Sequence, residues 1–438
     1  MIELFDYQKE QVEQALNENK VLNQSGTGTG KTFVALEVFK QSKLKKLLVL
    51  CLASKVSDFA EDAEKIGIDL VALDKGTAKN KTLLNEATAV SISYESSWRL
   101  KELLSWVDKD TLIIADESHK LKSTTSKAAM FANKLSKKVA MFYCLSASMV
   151  SNGKYEDFWN QLFITGIYKK SFKDFKEEFC IEELQEIKVK GRSRFFNAIV
   201  GYRNIERLEQ LVINHSVYKE REVSDELLPE DIFYKVKKPT MYGRTVKTRL
   251  IPTETGEYIE LDNLPKLRNA LLEMCSGLSK HIDKPLRKDK LERTQQILFE
   301  HSNERVVIFY NYNVELKHLK QLLTNEGRPF SEYNGHSHDL TEFTNESNGV
   351  VLAQYKSAST GINDFIIAST TIFFSSPDSS TTYIQAKGRT NRYGSTRKPI
   401  YYHLICANSL ESKLFYEYVQ VGKEFNNELL LKIIGANK

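Results

Sequence analysis

The stretch that most constrains this chain is Ser25-Gly26-Thr27-Gly28-Thr29-Gly30-Lys31-Thr32. An apolar run, Val21-Leu22, ends just before it, and a helix-like pattern (Phe33, Val34, Leu36, Val38, Phe39) starts just after it. Strand, glycine loop and helix are the order that a phosphate-binding loop requires. Glycines let the backbone curl until successive N–H groups point at an anion, and the helix adds the positive end of its dipole. In that geometry Lys31 neutralises β- and γ-phosphate oxygens and the Thr32 hydroxyl holds Mg²⁺. These eight residues are therefore expected to bind a nucleoside triphosphate.

A chain of 438 residues, 41% of them apolar, can fill two or three cores. No uninterrupted apolar stretch reaches membrane-spanning length, and the N-terminus lacks the basic-then-apolar layout of a signal peptide, so a soluble cytoplasmic protein is expected. Five scattered cysteines without a C-x-x-C read as buried thiols, neither disulfides nor zinc ligands. The net charge of +5 permits a polyanionic partner.

Phe5-Asp6-Tyr7-Gln8 opens a helix-like run, and the Gln8 amide can pair two-pronged with the edge of adenine. Continuous apolar runs follow at Leu47–Leu52, Thr111–Ala115 and Met141–Leu145, spaced by helical stretches. Such runs indicate parallel strands buried on both faces, and polar residues just past their carboxyl ends line the ligand crevice of an open α/β sheet. One run ends in Asp116-Glu117. Asp116 can share the Mg²⁺ with Thr32, and Glu117 can orient and deprotonate an attacking water.

From about Gly166 the chain is richer in charge and aromatic residues. Helical patterning to Phe179 and from Asn204 to Leu211 flanks Ile187–Phe196, which alternates around Gly191 and reads as a β-hairpin. A second basic stretch, Lys235–Arg249, follows Pro229. Strand–helix alternation restarts near Glu304, with strands expected at Arg305–Tyr310, Val350–Gln354, Thr371–Phe374 and Ile400–Ile405. In this part Gln385, Gly388, Arg389 and Arg392 share one face of a helix that Ser379 or Ser380 caps and Gly394 ends. Two arginines beside a glycine suit an anionic site.

Together these residues resemble superfamily II helicases, and within them the Swi/Snf-like branch. Asp116-Glu117-Ser118-His119 is similar to the D-E-x-H box. Leu145–Ser148 with Asn152 and Asp157–Leu162 resembles the third-motif region, Ser357–Asn363 the fifth motif and Gln385–Gly394 the sixth. Gly201–Asn204 to Leu228-Pro229 resembles the stretch between the family's two lobes. The chain departs from the branch at Ser357-Ala358-Ser359, at Asp378-Ser379 and at Ser395. These departures point away from a nucleosome remodeller and towards a compact phage or bacterial DNA helicase, with phage branch-migration helicases the nearest kind.

The resemblance implies an α/β fold of two RecA-like parallel-sheet lobes: lobe one at 1–165, a helical insertion with the basic hairpin at 166–228, a connector at 229–290, and lobe two at 291–438. It implies a monomer that hydrolyses ATP with Mg²⁺ and moves on forked or branched DNA without reading base sequence. Arg389 and Arg392 are then arginine fingers. His119, Ser146, Ser148, Gly361 and Gln385 couple hydrolysis to the strand. Ser54, Lys55, Ser93, Tyr94, Lys122, Asn311, Ser357 and Thr360 are candidate DNA contacts. The hairpin adds Lys188, Lys190, Arg192 and Arg194 for phosphates and Phe195 and Phe196 for bases. An RNA helicase, an ATP-gated binding protein that does not unwind, and a small-molecule P-loop kinase are the rival readings.

Overall fold

In the computed structural model the described residues are 3–26, 28–147, 149, 154–189, 192–219, 227–358, 364–391 and 397–421, with side chains at 187–189, 192, 194 and 364 outside the description. The chain forms two compact units, Met1–Arg221 and Glu222–Lys438.

The first unit is built on a seven-stranded sheet. Its members are β1 (Leu22–Asn23), β2 (Lys46–Cys51), β3 (Val71–Ala72), β4 (Ala89–Ser93), β5 (Thr111–Asp116), β6 (Met141–Leu145) and, after the hairpin strands β7 (Cys180–Val189) and β8 (Arg192–Tyr202), β9 (Ser216–Val217). The order is β3-β4-β2-β5-β6-β1-β9, and every pairing is parallel. The central strands alternate between two cores. Leu48, Leu50, Ile113 and Ala115 enter one, while Leu47, Val49, Cys51, Leu112 and Ile114 enter the other. Burial on both faces is why these strands read as unbroken apolar runs.

The second unit repeats the plan with β10 (Glu230–Val236), β13 (Val306–Tyr310), β14 (Phe330–Tyr333), β15 (Val350–Gln354), β16 (Thr370–Phe373) and β17 (Ile400–Cys406). Between them a small separate ribbon pairs β11 (Leu250–Pro252) with β12 (Tyr258–Glu260). The six-stranded order is β10-β17-β16-β13-β15-β14, again all parallel. Val307, Phe309 and Phe373 face one core, and Val306, Ile308 and Ile372 the other. The chain is thus two parallel-sheet α/β lobes.

Three features differ from the sequence reading. Part of the stretch read as a connector is integral to the second unit: β10 forms the sheet edge beside β17, and Ile251, Leu261, Leu267, Leu271 and Met274 are buried in its core. Their apolar spacing is diluted by charge, which hid it. The hairpin is longer than Ile187–Phe196, its ladder running from Cys180↔Tyr202 to Val189↔Arg192. The arginine-bearing helix spans Ser380–Thr390, capped by the Ser379 hydroxyl, and stops at Asn391 instead of continuing to Gly394. Arg392 and Gly394 lie outside the described residues.

Candidate ATP and nucleic-acid site

The glycine loop leaves β1 and enters the helix Lys31–Gln41. Gly28 and Gly30 have φ of 78° and 75°, the left-handed region that suits glycine. At Gly30 a Cβ would also meet Gln8 Nε2 at 2.4 Å, so an alanine there would displace that amide from the loop as well as strain the backbone. Gln8 is buried beneath the loop, donating from Nε2 to the Thr29 carbonyl (3.0 Å) and accepting from the Phe5 amide (2.9 Å). Tyr7 Oη donates to the same carbonyl at 2.9 Å. Gln8 thus braces the loop with both ends of the amide that the sequence reading assigned to adenine.

Ser25 is fixed from three sides. Its amide donates to Asn23 Oδ1 (3.1 Å), and its hydroxyl accepts from Gln11 Nε2 (3.0 Å) and from the Lys219 amide (3.1 Å). Thr29 Oγ1 donates to the Gly26 carbonyl at 2.8 Å. Gln11 was missed from the sequence, although it lies three residues after Gln8 and hence on the same helix face. Lys31 Nζ folds over the loop and donates to the carbonyls of Ser25 (2.7 Å) and Gly26 (2.8 Å). A cation held against loop carbonyls beside glycines of positive φ fits a triphosphate, whose oxygens would replace those carbonyls as partners. Thr32 follows in the first turn of the helix, and Thr27 lies outside the described residues.

Asp116 is the last residue of β5, and Glu117 adopts a left-handed conformation (φ 51°) that turns the chain into the short helix Ser118–Leu121. Burial and the neighbouring Glu117 charge push the Asp116 carboxyl up to about 6, against the opposing charges of Lys55 and Lys31. A buried carboxylate in this state gains most from a cation. Among the described residues no group of three or more His, Cys, Asp or Glu forms a metal cluster. Nucleotide-borne Mg²⁺ does not need one, because phosphate and water fill most of its shell. Thr32 and Asp116 therefore fit such an ion.

The residues after Asp116 tie the box to the rest of the unit. His119 Nδ1 lies 3.3 Å from Glu117 Oε2 and 3.2 Å from Ser146 Oγ, so two of the expected coupling residues meet beside the expected base. Ser118 Oγ donates to Gln161 Oε1 (2.8 Å), and Gln161 Nε2 donates to the Met149 and Asp157 carbonyls. Gln161 was named only within the third-motif resemblance, and this bond gives it a partner in the box. Ser148 and Gly361 lie outside the described residues.

The candidate strand contacts divide. Ser54 is exposed, while Lys55 pairs with Asp58 (3.0 Å) and Lys122 with Asp157 (3.0 Å). Ser93 and Tyr94, read as candidate phosphate contacts, are buried. Ser93 caps the helix Tyr94–Ser97, and Tyr94 Oη donates to the Asp116 carbonyl at 2.6 Å. Tyr94 thus supports the acid box, and Ser93 is engaged in the helix cap. Asn311 Nδ2 is engaged by the Ser376 carbonyl (2.6 Å) and Ser375 Oγ (3.2 Å), and Ser357 is half-buried. Thr360 lies outside the described residues.

On the helix Ser380–Thr390, Tyr383, Ala386 and Thr390 face the core, leaving Gln385, Gly388 and Arg389 half-buried on another face. Lys387 is gripped by Asp231 of β10 at 2.8 and 2.9 Å. Asp231 also meets His403 Nε2 at 2.7 Å. The edge strand thus anchors the arginine-bearing helix, an arrangement that joins residues 156 positions apart.

Residues 5–154 match a DEAD/DEAH box helicase model, and residues 289–394 match a helicase conserved C-terminal domain model. These matches support a superfamily II helicase. The first covers the glycine loop and acid box, and the second covers Asn311, Ser357, Gln385, Arg389 and Arg392. Helicase domains of this kind indicate an ATP-hydrolysing enzyme that depends on nucleic acid. Among 572 matching solved chains is the Sulfolobus solfataricus SWI2/SNF2 ATPase core in complex with dsDNA, at 19% identity over 100% of this chain and 98% of that one, with a TM-score of 0.45. No curated protein matches. Among the described residues no helix is long and apolar enough to cross a membrane.

Proposed function

We propose that this helicase is a DNA-dependent ATPase that moves along DNA and remodels forked or branched DNA. The observation that carries the reading is the pairing of two features in one unit: Lys31 folded over the glycine loop, and a buried Asp116 whose carboxyl feels the Lys31 charge. Lys31 neutralises the β- and γ-phosphates, and Thr32 and Asp116 hold the Mg²⁺ that screens them. Glu117, adjacent to Asp116 and steadied by His119, takes the proton of the attacking water. Arg389 and Arg392 are assigned to the charge that develops in the transition state, a role worth about 10³–10⁵ in rate.

The Swi/Snf-like third and fifth motif regions favour DNA over RNA. Contacts to the phosphate backbone carry no base identity, so stimulation should be insensitive to sequence and sensitive to salt. ATP hydrolysis measured with no nucleic acid, with single-stranded DNA and with RNA tests the reading. Greater stimulation by DNA supports it, and equal stimulation by RNA at matched salt favours an RNA helicase.

A further inference from the structure

On the helix Ser380–Thr390 the residues Tyr383, Ala386 and Thr390 form a buried stripe, and Lys387 and Arg389 flank it on opposite sides. An α-helix turns about 100° per residue, so these two side chains leave the axis about 200° apart. Whatever holds Lys387 therefore sets the rotation of the helix about its own axis, and with it the place of Arg389.

Lys387 is held closely. Its Nζ donates to both oxygens of Asp231, at 2.9 and 2.8 Å, and lies 4.5 Å from the centre of the Tyr401 ring and 5.3 Å from that of Tyr383. Its carbonyl accepts from Tyr401 Oη at 2.9 Å. An exposed lysine–carboxylate pair usually orders little, because both side chains are free to wander.

Here the carboxylate is fixed. Asp231 Oδ1 lies 2.7 Å from Nε2 of the fully buried His403. A carboxylate only accepts, so Nε2 is the nitrogen that carries the proton. The imidazole is stacked between Phe233 and Phe373, within 14° and 12° of parallel. The three rings stand in register across β10, β17 and β16, Phe233 opposite His403 and His403 opposite Phe373. Burial would raise the Asp231 carboxyl, but the His403 and Lys387 contacts hold it below its usual range, so it keeps its charge for Lys387. Asp231 lies between the two matched helicase regions, and neither covers it.

We propose that Asp231 is a positioning residue for ATP hydrolysis: through Lys387 it fixes the rotation of the arginine-bearing helix and so places Arg389 for the transition state. The proposal rests on the reading of Arg389 as an arginine finger. Leverage sets the size of the effect. A side-chain tip about 5–6 Å from the helix axis moves about 1 Å for every 10° or so of rotation, and about 1 Å of misplacement can cost on the order of 10² in rate. A finger acts on transition-state charge, so the loss should fall on kcat and spare ATP binding.

ATP affinity, steady-state hydrolysis with single-stranded DNA and thermal unfolding are measured on the full chain. The variants are Asp231→Asn, Lys387→Met, Lys387→Arg, Arg389→Ala and the double variant Lys387→Met/Arg389→Ala. Asp231→Asn and Lys387→Met are expected to lower kcat by about 10–100-fold with ATP affinity within about twofold of wild type. Lys387→Arg, which can still grip Asp231, is expected to keep kcat within about threefold. Adding Lys387→Met to Arg389→Ala is expected to cost less than about a further twofold, because a chain without the finger has nothing left to misplace. Lys387→Met retains the side-chain stem, and it decides the matter where Asp231→Asn lowers the unfolding temperature. Wild-type kcat in Lys387→Met, or losses that multiply in the double variant, overturns the proposal and leaves the finger reading standing. Wild-type turnover in Arg389→Ala removes the finger reading and the proposal together.

Discussion

Lys290 Nζ donates to both carboxylate oxygens of Glu411, at 2.8 and 3.0 Å, with the two side chains 1% and 2% exposed. The pair is also a bracket for main chain. Lys290 donates to the Phe374 carbonyl, and Glu411 accepts from the Ser376 and Cys406 amides. It thereby fixes the ends of β16 and β17 and the start of the loop to the arginine-bearing helix.

Lys290→Met leaves the Glu411 charge buried alone, so it should cost about 3–5 kcal/mol in urea unfolding. Replacing both partners by apolar residues often restores stability, but here Lys290→Met/Glu411→Leu strands three main-chain groups. The double variant should therefore remain destabilised. A double variant as stable as the wild type would show that the bracket contributes nothing.

Glu117→Gln keeps the shape beside Asp116 and removes the base. Nucleotide binding should persist while turnover falls at least tenfold, because positioned bases contribute about 10²–10⁴ in rate. Lys31→Ala should abolish turnover with the fold intact, read by circular dichroism. Turnover of Glu117→Gln above about a tenth of wild type would assign the base elsewhere.

Arg389→Ala and Arg392→Ala should lower kcat far more than they weaken ATP binding, since a finger acts on transition-state charge. Affinity and turnover measured on the same preparations separate the two effects. Unchanged turnover in both variants would remove the finger role from these arginines.

His403 is stacked between Phe233 and Phe373, with centroids 4.6 and 4.8 Å away, and its Nε2 faces Asp231 and Tyr383. Burial lowers its pKa against the pull of Asp231, while nearby Lys387 lowers it further. The unfolded chain then binds a proton that the folded chain resists, so stability falls as pH drops below about 6.5. Titration of unfolding free energy should show this slope, and His403→Gln, which can still donate to Asp231, should flatten it by up to about 1.4 kcal/mol per pH unit. Identical slopes would place the titrating group elsewhere.

The strands that carry the site were visible in sequence because both faces are buried. Thr111–Asp116 and Met141–Leu145 have no polar alternation to obscure them. Edge strands were not visible. Glu230–Val236 exposes its charged residues, so it reads as connector, although Asp231 within it holds Lys387. Local motifs pointed to Lys31, Asp116 and Glu117, because spacing within a loop or at a strand end is written in consecutive residues. Contacts such as Lys290 with Glu411, 121 positions apart, are not. Ser93 and Tyr94 were misplaced for a related reason: a polar residue after a strand can face the crevice or turn inward under it, and only packing decides.

The most direct test of the account is steady-state ATP hydrolysis by the wild type and Glu117→Gln, with no nucleic acid, single-stranded DNA and RNA at matched salt. The account predicts hydrolysis that DNA stimulates more than RNA does, that added salt suppresses, and that Glu117→Gln loses under every condition. Hydrolysis indifferent to both nucleic acids would contradict it.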